Sequence, residues 1–203
     1  MGCLELTGRE AENNQMNAQE RHLVVGGARS GKTRHALELA ESASRQRGVP
    51  VVYVATAESG DDEMAERIAR HRAERPQAWS TLEAPSSLAQ ALRSVAPDAV
   101  IVIDCLTLWL SNALLLDFDE SKPRAGLATW ALECDALLGF LGDFTGATIM
   151  VSNEVGCGIV PMSALARRFQ DEQGRLNQVV AALCERVTWV VAGIPVAIKP
   201  RSA

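Results

Sequence analysis

The sequence predicts an α/β domain in which a mostly parallel central sheet is flanked by helices. Apolar runs of strand length recur at 22–26, 51–56, 99–104, 147–152 and 187–192, and helix-length patterns fill the intervals between them. The strand runs are continuous in Val and Ile instead of alternating, which signals burial on both faces and therefore a parallel sheet covered by helices. Proline falls where helices should stop, at Pro76, Pro85, Pro97, Pro123 and Pro161.

In chain order, residues 1–20 read as a polar N-terminal tail with Glu5, Arg9, Glu10, Glu12 and Glu20 and no apolar core of a secretory signal. Residues 21–203 read as a single domain. After the strand at 22–26, helical patterns are expected at 32–47, 61–75, 86–95, 106–116, 127–143 and 163–185. Gly193 and the run 195–199 suggest a last edge strand.

With 203 residues, 47% of them apolar, the chain can bury a sizeable core. A net charge of −5 disfavours general nucleic-acid binding. The five cysteines, Cys3, Cys105, Cys134, Cys157 and Cys184, form no C-x-x-C pair and read as reduced, buried thiols. The longest apolar region, 99–116, is interrupted by Asp104 and too short to span a bilayer. A cytoplasmic protein with no nucleic-acid partner and no stable membrane insertion is expected.

The chemistry begins at the end of the first strand. Gly26, Gly27, Ala28, Arg29, Ser30, Gly31, Lys32 and Thr33 satisfy G-x-x-x-x-G-K-[ST], the phosphate-binding loop between a strand and a helix. The helix N-terminus draws the phosphates, Lys32 reaches the β- and γ-phosphates, and the Thr33 hydroxyl can ligate Mg²⁺. The architecture expected is therefore that of a P-loop NTPase, RecA-like. Asp104 closes the run Val100-Ile101-Val102-Ile103, where a carboxylate can hold Mg²⁺ opposite Thr33; Asp is also a common helix cap.

Three histidines occur, His22, His35 and His71. The first two read as structural. His71 shares a helical face with Met64 and Ile68, and flanking Arg70 and Arg72 disfavour its charged form, leaving a lone pair for base or nucleophile chemistry. An inward histidine can equally be a hydrogen-bonded core residue. The two-glycine segment 151–161 lets backbone approach a ligand. Arg167, Arg168, Arg175 and Asn177 could meet anions, although a solvated helix face is the simpler reading for each.

Together these residues resemble the bifunctional adenosylcobinamide kinase/adenosylcobinamide-phosphate guanylyltransferase family of cobalamin biosynthesis. The likeness rests on the phosphate loop, Tyr53-Val54-Ala55-Thr56, Asp61-Asp62-Glu63-Met64 with His71, Trp79, Ser152-Asn153-Glu154-Val155-Gly156, Gly158-Ile159-Val160-Pro161, Gly174-Arg175, Asn177-Gln178 and Gly193-Ile194-Pro195.

The resemblance implies two reactions: ATP or GTP phosphorylates adenosylcobinamide, and GTP then guanylylates His71, from which GMP passes to adenosylcobinamide phosphate. It implies nucleotide contacts from Gly26 through Thr33, from Ala55, Thr56 and Ala57, from Arg72, Ala73, Glu74 and Arg75, and from Glu83 and Asp104. It also suggests a homo-oligomer, a trimer. Thr33 stands where Ser is common and keeps the hydroxyl, whereas Asp104 is shorter than a Glu in that place. The competing reading is an NTP-driven switch or motor acting on a protein or nucleic acid, in which His71 is incidental; a third is a nucleotide-binding regulator without turnover.

Overall fold

The first strand, β1 (Arg21–Gly26), sends Leu23 and Val25 into one apolar cluster and Val24 into another. That split repeats across the sheet and is why the strand runs lack alternation. The computed structural model describes residues 16–17, 19–58, 76–119, 121 and 127–200. The remaining elements, in order, are α1 (Lys32–Arg47), β2 (Val51–Ala55), β3 (Ser80–Glu83), α2 (Leu88–Leu92), β4 (Val100–Asp104), α3 (Leu106–Asp117), α4 (Ala128–Asp143), β5 (Ala147–Asn153), α5 (Ala164–Leu183), β6 (Arg186–Val191) and β7 (Ile194–Lys199).

The seven strands lie in the order β3-β2-β4-β5-β1-β6-β7. All neighbours are parallel except the β6–β7 hairpin. Helix α1 supplies Ala36, Leu39, Ala40 and Ala43 to one face, against Val24, Val102 and Ile149. On the other face α3, α4 and α5 bring Trp109, Leu110, Leu137, Leu141, Leu176 and Val180 against Leu23, Ile101 and Ile103. Trp109 meets Trp130 edge-to-face, with centroids 4.8 Å apart.

Three expectations need correction. Strand β3 was not anticipated, because Ser-Thr-Leu-Glu carries little apolar signal; backbone pairing with β2 holds it at the sheet edge. The expected helix 86–95 shrinks to Leu88–Leu92, since the amides of Arg93, Ser94 and Val95 each bond three residues back. The end of the polar tail is packed: Met16 is buried in the cluster under α1, and Glu20 Oε1 lies 2.7 Å from Arg186 Nε in a buried ion pair. The expected helix 61–75 lies outside the described residues.

Of the cysteines, Cys105 and Cys184 are the buried hydrophobes expected, Cys134 is half-buried, and Cys157 is exposed on the glycine-flanked loop after β5. Among the described residues no helix is long and apolar enough to cross a membrane.

Candidate active site

In a parallel sheet the carboxyl ends of the strands gather the ligand-facing loops. Register puts Gly26 beside Asn153, Asp104 beside Val151 and Ala55, and Ala55 beside Glu83. One strand, β5, separates the phosphate-loop strand from the Asp104 strand.

The phosphate loop is built by its glycines and pinned from two sides. A Cβ on Gly26 would come within 2.5 Å of both Ser30 Oγ and the Val190 carbonyl oxygen, so only glycine lets the loop leave β1 this close to β6. Gly31 adopts φ 95°, a left-handed conformation that suits glycine, and serves as the N-cap of α1. No side chain caps that N-terminus and its first turn carries no acid, which leaves the dipole end available to phosphate. The Glu154 amide donates to Gly26 O at 3.2 Å and the Gly193 amide to Ser30 O at 2.9 Å. Lys32, nearly buried, folds back to donate from Nζ to Gly27 O at 3.0 Å.

Asp104 is held by the chain's single tyrosine, whose buried hydroxyl donates to Oδ2 at 2.6 Å. Thr56 is wholly buried; its hydroxyl donates to Cys105 O at 2.7 Å and accepts from the Cys105 amide at 2.8 Å. Its amide donates to Asp104 O and its carbonyl accepts from Asn112 Nδ2. Thr56 thus fixes the ends of β2 and β4 relative to each other, while Ala57 and the exposed Glu83 lie toward the edge. Burial, then the charge of Asp104, pushes the Cys105 thiol up to about 11, so it stays protonated and is no competing nucleophile.

The end of β5 is fixed by a side-chain network in which Thr107 and Gln173 were not singled out by sequence reasoning, and Asn177 takes a role other than the one read for it. Thr107 Oγ1 accepts from the Asn153 amide at 2.8 Å, and Asn177 Nδ2 donates to Asn153 O at 3.0 Å. Ser152 Oγ and Gln173 Nε2 both donate to Asn177 Oδ1. Asn177 is therefore part of a partly buried network and not a solvated helix face. The signal was present: Gln173, Leu176 and Val180 share one helical face, so a polar side chain sits on an apolar stripe. Of the arginines, Arg167 bonds the carbonyls of Pro161 and Met162, whereas Arg168 and Arg175 pair with Glu172.

The remaining histidines are structural, as expected. His22 Nε2 lies 2.8 Å from Thr188 Oγ1, and burial, aided by Arg186 and His35, lowers its pKa to about 3. Burial also lowers that of His35. His71, Arg72, Ala73, Glu74 and Arg75 lie outside the described residues.

The structure thus brings the phosphate loop, Thr33, Asp104 and the Asn153–Glu154 turn to one edge. One hydroxyl and one carboxylate are too few for an all-protein metal cage, and among the described residues no cluster of three metal-ligating side chains occurs. A hydroxyl and a carboxylate fit the kind of site in which nucleotide phosphates and water complete the shell of a Mg²⁺ ion.

This fold and loop define a phosphate-loop α/β protein. The fold is shared with solved structures of a Pyrococcus horikoshii OT3 protein (TM-score 0.51, 8% identity, 97% of this chain and 93% of that one). It is also shared with the flagellar accessory protein FlaH of Methanocaldococcus jannaschii (TM-score 0.50, 13% identity, 92% and 80%). The sequence narrows this. Residues 22–198 match the family model of cobinamide kinase / cobinamide phosphate guanyltransferase, and the chain belongs to that family. It is 49% identical over 180 residues to the bifunctional adenosylcobalamin biosynthesis protein CobP of Pseudomonas aeruginosa, covering 88% of this chain and 97% of the relative. It is 41% identical to the protein of that description, CobU, from Escherichia coli, covering 87% and 98%.

Proposed function

We propose that this protein phosphorylates adenosylcobinamide with ATP or GTP and then converts adenosylcobinamide phosphate to adenosylcobinamide-GDP through a guanylylated His71. Family membership sets the reaction class; the uncapped, glycine-shaped loop with Lys32, at the same carboxyl edge of the sheet as Asp104 and one strand away from it, is the observation that carries the reading. It supports a site that holds a triphosphate by its phosphates and leaves the attacking group to come from outside.

In the kinase step the acceptor hydroxyl oxygen bonds to the γ-phosphorus, the bond to the β,γ-bridging oxygen breaks with its electron pair leaving on the nucleoside diphosphate, and the hydroxyl proton is released. Lys32 exchanges Gly27 O for the β- and γ-phosphate oxygens and neutralises charge there, and the α1 amides hold the β-phosphate. Thr33 and Asp104 are the residues to hold Mg²⁺, which supplies electrostatic stabilisation of the phosphates. In the transferase step a neutral His71 nitrogen bonds to the α-phosphorus of GTP and pyrophosphate departs. A phosphate oxygen of the acceptor then takes the GMP group, breaking the N–P bond and returning His71 to its neutral form. Nucleotide contacts are assigned to Gly26 through Thr33, the Ala55–Ala57 turn, Arg72 through Arg75, and Glu83; Thr56 acts there through backbone position.

Self-association as a trimer completes the reading. The hairpin exposes Trp189, Val191, Ile194, Val196 and Ile198, an apolar surface of the kind that copies of a chain cover. The unpaired thiols of the four described cysteines and use of nucleoside triphosphates fit a cytoplasmic location. The test is to incubate the protein with adenosylcobinamide, Mg²⁺ and GTP and resolve the corrinoids by mass. Sequential appearance of the phosphate and the GDP derivative is expected; triphosphate hydrolysis with an unmodified acceptor would instead support a switch or motor.

A further inference from the structure

The loop that leaves β5 starts at the phosphate site, where the Glu154 amide touches Gly26 O at 3.2 Å, and ends at Ser163, the N-cap of α5. Between them Ile159 is 97% exposed, Val160 69% and Met162 96%. The loop is held in this pose: Arg167 Nη1 donates to the Pro161 and Met162 carbonyls at 2.9 and 2.6 Å, and Gln170 Nε2 to Val155 O at 3.1 Å. Next to Met162, a cavity of about 260 Å³ opens between α3 and the first turns of α5. Leu114, Leu115, Leu165 and Phe169 form its apolar walls, and Ser111 and Ser163 place hydroxyls on its lining.

We infer that this cavity and the Ile159–Val160–Met162 rim form the docking surface for the corrin ring of the acceptor. The inference rests on the proposed function and adds the place where the bulk of the substrate lies. An acceptor whose hydroxyl meets a loop-bound phosphate must rest its remaining mass on surface continuous with that loop. The patch is linked to it through the Gly26–Glu154 bond and, one residue on, through the bond from Gln170, the neighbour of Phe169, to Val155 O. Its chemistry matches the ligand: a macrocycle with methyl-bearing edges and amide arms needs apolar walls interrupted by a few hydrogen-bonding groups. A cavity of this volume takes one edge of such a ring, and the rim supports its face. A second copy of the chain is the competing occupant, but the β6–β7 hairpin at the sheet edge, with Trp189, Val191, Ile194, Val196 and Ile198 exposed, is the apolar face assigned to a copy.

The test is a double variant, Ile159→Ser with Met162→Ser, which alters exposed side chains and should leave folding intact. Titrations with adenosylcobinamide and with GTP, and the mass in solution, are compared with the parent protein. The inference predicts adenosylcobinamide binding weakened by about tenfold or more, with GTP affinity within about twofold and mass unchanged. Adenosylcobinamide affinity within about twofold of the parent overturns it, and so does a weakening that tracks a fall in mass, which assigns the patch to a copy interface. A parent protein that fails to bind adenosylcobinamide at all overturns the proposed function together with this inference, an outcome separate from the others.

Discussion

The Tyr53 hydroxyl donates a 2.6 Å hydrogen bond to Asp104 Oδ2 from a position that is itself buried in the core beneath α1. The bond crosses from β2 to β4 and fixes the carboxylate at the carboxyl edge of the sheet. Aim, and not mere presence, is what a metal-holding carboxylate needs.

Replacing that tyrosine tests the aim. Tyr53→Phe keeps the ring and removes the donor, at a cost of about 1 kcal/mol in stability. Kinase activity should fall about tenfold or more, with a rise in the Mg²⁺ concentration giving half-maximal rate. A Mg²⁺ titration of the variant checks this, and an unchanged midpoint counts against Asp104 as a metal ligand.

Two neighbouring glycines should behave differently. A Cβ on Gly26 meets Ser30 Oγ and Val190 O at 2.5 Å, whereas one on Gly27 meets nothing within 4 Å. Gly26→Ala is expected to lose about 1–3 kcal/mol and most nucleotide affinity, and Gly27→Ala to keep its stability within about 0.5 kcal/mol. Urea unfolding of both variants, with nucleotide titrations, reads the contrast.

The phosphate loop was legible because its glycines, Lys32 and Thr33 act within one short stretch of chain. The strands were legible because burial on both faces writes a continuous apolar run, as at Val100–Ile103. Strand β3 was not, since Ser80–Glu83 is held mainly by backbone bonds to β2, which any sequence can make. The network of Thr107, Ser152, Gln173 and Asn177 was also hidden. Its members lie on three elements, and although Gln173 on the apolar stripe of α5 marks the face that is buried, nothing local states that this face meets the end of β5.

That network should carry energy. Asn177→Ala removes the acceptor of Ser152 Oγ and Gln173 Nε2 and the donor to Asn153 O. Gln173 Nε2 keeps its bond to Ser152 Oγ at 3.0 Å, but the Ser152 hydroxyl and the Asn153 carbonyl lose a partner, at about 1–3 kcal/mol for each group left unpaired. A drop in unfolding free energy of at least about 2 kcal/mol, with slower amide exchange lost at residues 152–154, is the expected outcome.

Acid sensitivity should arise at His22, buried among Thr188, Arg186 and His35, with Arg186 paired to Glu20. Its folded pKa of about 3 lies below the ordinary histidine value of 6.5, so the unfolded chain binds a proton that the folded one refuses. This contribution is complete above pH 6.5 and is lost as pH falls from there toward 3, with a slope of about 1 kcal/mol per unit. Unfolding curves of parent and His22→Gln between pH 8 and 5 should show the slope reduced in the variant.

The covalent step is the central claim, and one labelling experiment addresses it most directly. The protein is incubated with Mg²⁺ and GTP labelled at the α-phosphate, denatured, and digested to locate the label. Acid-labile, alkali-stable label on the peptide containing His71, absent from His71→Ala, is the result expected of a guanylylated histidine. Protein that binds GTP but takes up no label, or a His71→Ala variant that labels as well as the parent, contradicts the account.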